Sequence, residues 1–158
     1  MERAMKRVGD SYTEQVQIIF PQHGNGMCRL FGGQLMAWID VVAGVVARRH
    51  AGSSVTTASV DELSFVHPAR VDDTIVLTGR VTHVGRTSME VRVDTYVERL
   101  DGNRELVNRA YLVLVALGAD GRPTEVPGLI LETDEERSEW AAGELRKRAR
   151  AGRRGIHE

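Results

Sequence analysis

The chain has 158 residues, with 21 lysines and arginines against 22 aspartates and glutamates. This length suits one domain with a sizeable core. The charge balance excludes a global field drawing the chain to nucleic acid or an anionic membrane. The one cysteine, Cys28, excludes an intramolecular disulfide and any multi-cysteine zinc site.

No signal-peptide pattern is visible, and no apolar run approaches the roughly 20 residues of a membrane span. A soluble, cytoplasmic protein without membrane insertion is expected. Residues 1–11 read as a flexible, polar N-terminus. Glu14–Phe20 reads as a first strand, stopped by Pro21, and a glycine-containing loop follows from Gln22 to Arg29. At about 32–50 the residues Leu35, Met36, Ile39, Val42, Ala43 and Val46 recur at helical spacing. The helix they define is apolar around most of its surface and is expected to be buried, with Gly52 as its stop. Strand character then takes over in Val55–Phe65, Thr74–Val84, Ser88–Val97 and Leu106–Leu117. The third of these alternates Met89, Val91, Val93, Thr95 and Val97 against Glu90, Arg92, Asp94 and Tyr96, the pattern of a half-buried strand. Asp101-Gly102-Asn103 marks a hairpin. The last segment, 131–158, reads as a charged helix, with acids from Glu132 to Glu136 and bases from Arg146 to Arg154. That order suits the helix dipole and a solvated surface.

The chemistry-bearing stretch is Phe31-Gly32-Gly33 at the start of the long helix, followed by Asp40. Helix N-termini expose N–H groups without intrahelical partners, and these attract an oxyanion or a polarised carbonyl. Glycines allow a substrate close approach. A carboxylate among Trp38, Ile39, Val41 and Val42 calls for a reason to be there. The pattern is neither GxGxxG nor a Walker loop, so it gives no support to a bound nucleotide of those kinds.

One strand, one long helix and four further strands with short connections describe an α+β architecture. With the residues just quoted, it resembles the hotdog fold, an antiparallel sheet wrapped around a long central helix, here with an added C-terminal helix. The acyl-CoA thioesterase branch is the closer likeness, over residues 12–130. It rests on Asn25, Phe31-Gly32-Gly33, Trp38–Gly44, Val55–Asp61, Phe65 with Pro68, Val84–Val91, and Gly121-Arg122-Pro123 before Val126-Pro127. Two positions depart from the family pattern. Cys28 stands where a glycine is usual, and Pro21-Gln22-His23 replaces a proline-acid pair.

The resemblance implies hydrolysis of acyl-CoA to a free acid and coenzyme A, with no cofactor and no metal. Asp40 is implied as general base or nucleophile, the Gly33 N–H as oxyanion donor, and the Asn25 amide as the group orienting water or carbonyl. Gly32 would line the substrate path. Gly85, Arg86, Thr87 and Ser88 would contact phosphate or pantetheine. It also implies a homodimer at least, with a trimer of dimers as the expected homohexamer, and an active site shared between subunits. His23, His50, His67 and His83 lack metal-ligand spacing and read as loop or surface residues. Cys28 reads as a small hydrophobe rather than a nucleophile. A non-catalytic acyl-CoA sensor or scaffold is the alternative, and a hydratase would need a His–acid pair that Asp40 lacks on its helix.

Overall fold

The computed structural model describes residues 2–156. A five-stranded sheet is built from β2 (Thr13–Ile18), β3 (Ser54–Phe65), β4 (Thr74–Val84), β5 (Ser88–Glu98) and β6 (Arg104–Leu117). Its order is β2-β4-β5-β6-β3 and every neighbouring pair is antiparallel. The long helix, α2 (Gly32–Ala51), lies against one face and ends at Gly52 in the left-handed region. Leu35, Ile39, Val42, Ala43, Val46 and Ala47 of α2 are buried with Ile75, Leu77, Val91, Val93, Leu112 and Leu114 of the sheet. Period 3.6 thus meets period 2 in one core. Gly79 sets the closeness of this packing, since a Cβ there would come within 2.8 Å of both Val42 and Val46. The hotdog arrangement inferred from sequence is therefore the one observed.

Four features differ from the sequence reading. The opening residues are not frayed throughout: β1 (Met5–Arg7) and the helical turn α1 (Val8–Ser11) are formed. β1 pairs in parallel with β7 (Gly128–Ile130), a second two-stranded sheet that its short, polar sequence did not announce. The helix α2 is not buried all round, because Ala37, Asp40, Val41 and Arg48 remain exposed on one side of the protomer. His50 and His83 are buried rather than superficial. His50 Nε2 lies 2.8 Å from the Pro127 carbonyl, while Nδ1 has no partner among the described residues. Burial holds this imidazole below its ordinary pKa, outweighing the hydrogen bond that favours its charged form.

The fourth difference is the C-terminal helix, α3 (Asp134–Ile156). It is no solvated appendage but covers part of the sheet's outer face. The polar residues of β5 are consequently buried: Glu90 is 2% exposed, Arg92 7% and Asp94 1%. Arg146 binds both oxygens of Glu90, at 2.8 and 2.9 Å, and Thr82 Oγ1 donates to the same carboxylate at 2.7 Å. Arg150 pairs with Asp61, and Arg146 also stacks on the Tyr111 ring at 3.9 Å. Arg92 and Arg109 share Asp94, each at 2.7 Å. Burial pushes the Asp94 carboxyl up, but hydrogen bonds from the two guanidiniums prevail and hold it below its usual range. Gly143 lets α3 seat closely, since a Cβ there would lie 2.8 Å from that of His83.

Candidate active site

Asp40 sits on the open side of α2, with Val41, Gly44, Val45 and Arg48 on the same face. Val55 and Thr57 of β3 and Leu114 of β6 form the opposite wall, enclosing a groove of about 340 Å³. Thr57 Oγ1 donates to Asp40 Oδ1 at 2.7 Å, leaving Oδ2 without a partner among the described residues. The β3–β6 register slips between Thr57 and Ser59, a local irregularity of the kind that re-aims side chains beside functional sites. Asp40 is therefore no buried acid. It is an exposed carboxylate held in one rotamer at a groove wall.

Gly32 and Gly33 open α2 after Phe31, which is extended and supplies no side-chain cap. The N–H groups of both glycines lack acceptors among the described residues. Gly33 runs beneath the Phe31 ring, where a Cβ would come within 2.6 Å of Cε1. Phe31 is itself fixed by its N–H, which donates to the His23 carbonyl at 2.8 Å. His23 belongs to a 3-10 turn, Pro21–His23, and its Nδ1 accepts the Phe20 N–H at 3.0 Å. A side-chain ring nitrogen thus caps the start of this turn.

Asn25 Oδ1 accepts from the N–H groups of Met27 and Arg29, at 2.8 and 3.2 Å. With its carbonyl oxygen engaged, the side chain offers its NH2 group outward, as a donor. Cys28 completes the bend at φ 58°, in the left-handed region that glycine adopts without penalty. Asn25 lines a separate cavity of about 120 Å³ with Leu30, Leu35, Phe65 and Pro68.

One protomer does not bring these groups together. Asn25 and Asp40 line different cavities. Gly33 and Asp40 stand seven residues apart on one helix, about 10 Å along its axis.

The remaining candidates, Gly85, Arg86, Thr87 and Ser88, form the hairpin turn between β4 and β5, closed by Gly85 N–H donating to Ser88 O at 2.9 Å. The Thr87 and Arg86 carbonyls accept from Ala116 and Val126, at 3.0 and 2.9 Å. Arg86 is exposed. No cluster of three or more histidine, cysteine, aspartate or glutamate residues suited to a metal occurs among the described residues. Sequence reasoning missed Thr57 and Arg48 as lining residues. A threonine in a strand rich in threonine and valine carries no mark of its own, and only the pairing with Asp40 singles it out.

Residues 29–101 match the family model of the thioesterase superfamily. The chain is 42% identical to an uncharacterised acyl-CoA thioester hydrolase of Bacillus subtilis, YkhA, over 80% of this chain and 74% of that one. Among solved structures, an acyl-CoA hydrolase of Staphylococcus aureus in complex with butyryl-CoA, coenzyme A and coenzyme A disulfide superposes with a TM-score of 0.92 at 34% identity, covering 97% of this chain and 94% of that one. A hexameric acyl-CoA thioesterase, in its apo form, superposes with a TM-score of 0.91 at 38% identity, over 95% and 97%.

Proposed function

From the premise that this chain belongs to the acyl-CoA thioester hydrolases of the thioesterase superfamily, we propose that it cleaves acyl-CoA with Asp40 at the reacting carbon. The observation that carries this reading is the Asp40 carboxylate held by Thr57 at the wall of an open groove. A set of structures of the Staphylococcus aureus enzyme carries single alanine replacements of an asparagine, an aspartate and a threonine. Their separations along that chain, 15 and 17 residues, equal those between Asn25, Asp40 and Thr57 here, which supports the same three roles.

In this mechanism Asp40 removes a proton from water, and the hydroxide adds to the thioester carbonyl carbon. Attack by the carboxylate itself, through a transient anhydride, uses the same geometry. The developing oxyanion is held by the Gly33 N–H at the positive end of a facing α2, assisted by the NH2 group of Asn25. Collapse breaks the C–S bond, and the coenzyme A thiolate leaves and takes up a proton. No metal or added cofactor enters these steps.

The assembly that completes the site is a two-fold dimer, and the hexameric relatives support a trimer of dimers. No helix among the described residues is long and apolar enough to cross a membrane, and relatives named as cytosolic support a cytoplasmic location. The test is incubation with a panel of acyl-CoAs and a thiol reagent. Release of coenzyme A supports the hydrolase. Tight binding without release would replace it with an acyl-CoA sensor.

A further inference from the structure

The same contact closes three turns of this chain: a backbone N–H donates to the side chain three residues further on. Arg7 N–H donates to Asp10 Oδ2 at 2.8 Å, Arg70 N–H to Asp73 Oδ2 at 2.9 Å, and Phe20 N–H to His23 Nδ1 at 3.0 Å. Two of the acceptors are carboxylate oxygens. The third is a ring nitrogen, which accepts only while it carries no proton.

His23 is also where the pieces of the candidate site join. Its carbonyl accepts the Phe31 N–H, and the Asn25 N–H donates to the Arg29 carbonyl, both at 2.8 Å. Residues 23–25 and 29–31 therefore run as a short antiparallel ribbon, bridged at Gly24 and Leu30, that leads directly into Gly32-Gly33. The imidazole stands edge-on to the Trp38 ring, with 4.9 Å between centroids and 73° between planes. Trp38 lies two residues before Asp40 on α2. One half-buried residue thus ties together the segments that carry Asn25, Gly33 and Asp40.

Protonation sets two donors against each other, Nδ1–H facing the Phe20 N–H. The ring must then turn, giving up both this cap and its edge contact with Trp38. No neighbouring carboxylate compensates. Histidine ion pairs among the described residues are His67–Glu105 and His83–Glu144. The charged residues of the segments packed around His23 are Arg29 on the ribbon, Asp40 on α2, and Arg70, Asp72 and Asp73 on the loop whose Val71 packs on Gly24. None of them forms an ion pair with the ring among the described residues. We propose that His23 is a positioning residue for the hydrolysis: its proton-free Nδ1 holds the Asn25 ribbon and the start of α2 in register, and protonation of the ring releases both and slows turnover. This rests on the thioesterase reading above.

The experiment follows release of coenzyme A from butyryl-CoA by wild type, His23→Ala and His23→Asp from about pH 8 down to about pH 5.5, the range in which imidazoles as a class gain a proton and carboxylates stay ionised. Asp10 and Asp73 show that an aspartate completes this contact in this chain. At the alkaline end His23→Ala should have kcat about fivefold below wild type, the effect of one lost cap, with little further fall on acidification. Wild type should descend to that level as pH falls, and His23→Asp should keep most of the wild-type rate throughout. The same descent in wild type and His23→Asp would overturn the proposal, as would a wild-type kcat in His23→Ala at the alkaline end. Nitrogen NMR of the histidine rings reads the contact without turnover. The signals missing from His23→Asp should belong to an Nε2–H tautomer at the alkaline end, and an Nδ1–H tautomer would overturn the proposal. A wild type that releases no coenzyme A at any pH overturns the thioesterase reading instead.

Discussion

The hydroxyl of Thr57 donates to Asp40 across the gap between β3 and α2, at 2.7 Å, and so fixes the one carboxylate in the groove. Asp40→Asn keeps the size and this contact but removes the base, so turnover should fall at least about 10²-fold. Thr57→Ala frees the carboxylate to rotate, and a loss of about tenfold in kcat is expected, with Thr57→Ser close to wild type. Because Asp40 and Thr57 are both exposed in the protomer, all three variants should melt near the wild-type temperature. Wild-type kcat in Asp40→Asn would assign the carboxylate a structural role instead.

Asn25 and Asp40 line separate cavities of one chain, so complementation between subunits is expected. Asn25→Ala loses the outward NH2 group and should be impaired. Mixing Asn25→Ala with Asp40→Asn subunits under exchange conditions should restore part of the activity, since one of the two shared sites of each mixed dimer then holds both intact groups. Light scattering that finds a fully active monomer would rule out the shared site.

Stability should respond to pH through two buried groups of opposite chemistry. His50 is neutral in the fold, its pKa lowered by burial, and takes up a proton on unfolding below about pH 6.5. The unfolded state then binds more protons, so stability declines as pH falls through that range, at a slope approaching about 1.4 kcal/mol per pH unit. Asp94 acts lower. Its folded pKa is depressed, so its contribution is complete above the unfolded value of about 3.9 and is lost as pH falls through the folded value. Urea titrations from pH 8 to 3 should show both steps, with His50→Leu flattening the first and Asp94→Asn the second.

Glu90 has a side chain 1% exposed and is held by Arg146. Removing Arg146 leaves Glu90 buried with only the Thr82 hydroxyl at 2.7 Å and the more distant Arg150 at 3.9 Å. Arg146→Ala should therefore cost about 3 kcal/mol in urea denaturation. A cost under about 1 kcal/mol would mean that water reaches Glu90 when the guanidinium is gone.

Cys28→Gly should be fully active and more stable by about 0.5–1 kcal/mol, since relief of the left-handed strain at φ 58° is partly offset by added freedom in the unfolded chain. Chemical denaturation measures the gain. A loss of stability would show that the Cys28 side chain makes a contact worth more than the strain.

What sequence alone revealed, and what it hid, follows from the range of the interactions. The apolar stripe from Leu35 to Val46 and the alternation from Met89 to Val97 are local patterns, and they located α2 and β5 within a residue or two. The Gly32-Gly33 pair was equally legible, because a helix start is a local event. Thr57 was not, since its importance lies in one contact with a residue 17 positions away. The burial of Glu90 and Asp94 was hidden for a similar reason. Charged side chains at alternate positions read as a wet face, and only Arg146 of a distant helix on Glu90 and Arg109 of the neighbouring strand on Asp94 make that face dry. β1 and β7 escaped because each is three residues long and stabilised by the other.

The helix α3 is attached to the sheet chiefly through carboxylates and guanidiniums, with Trp140 as its principal apolar contact. An apolar seam would leave a greasy sheet exposed whenever the helix came away, inviting association with other chains. Here detachment uncovers Glu90, Arg92 and Asp94, groups that water solvates well. The seam between helix and sheet is thus built mainly from groups that are as well suited to water as to each other.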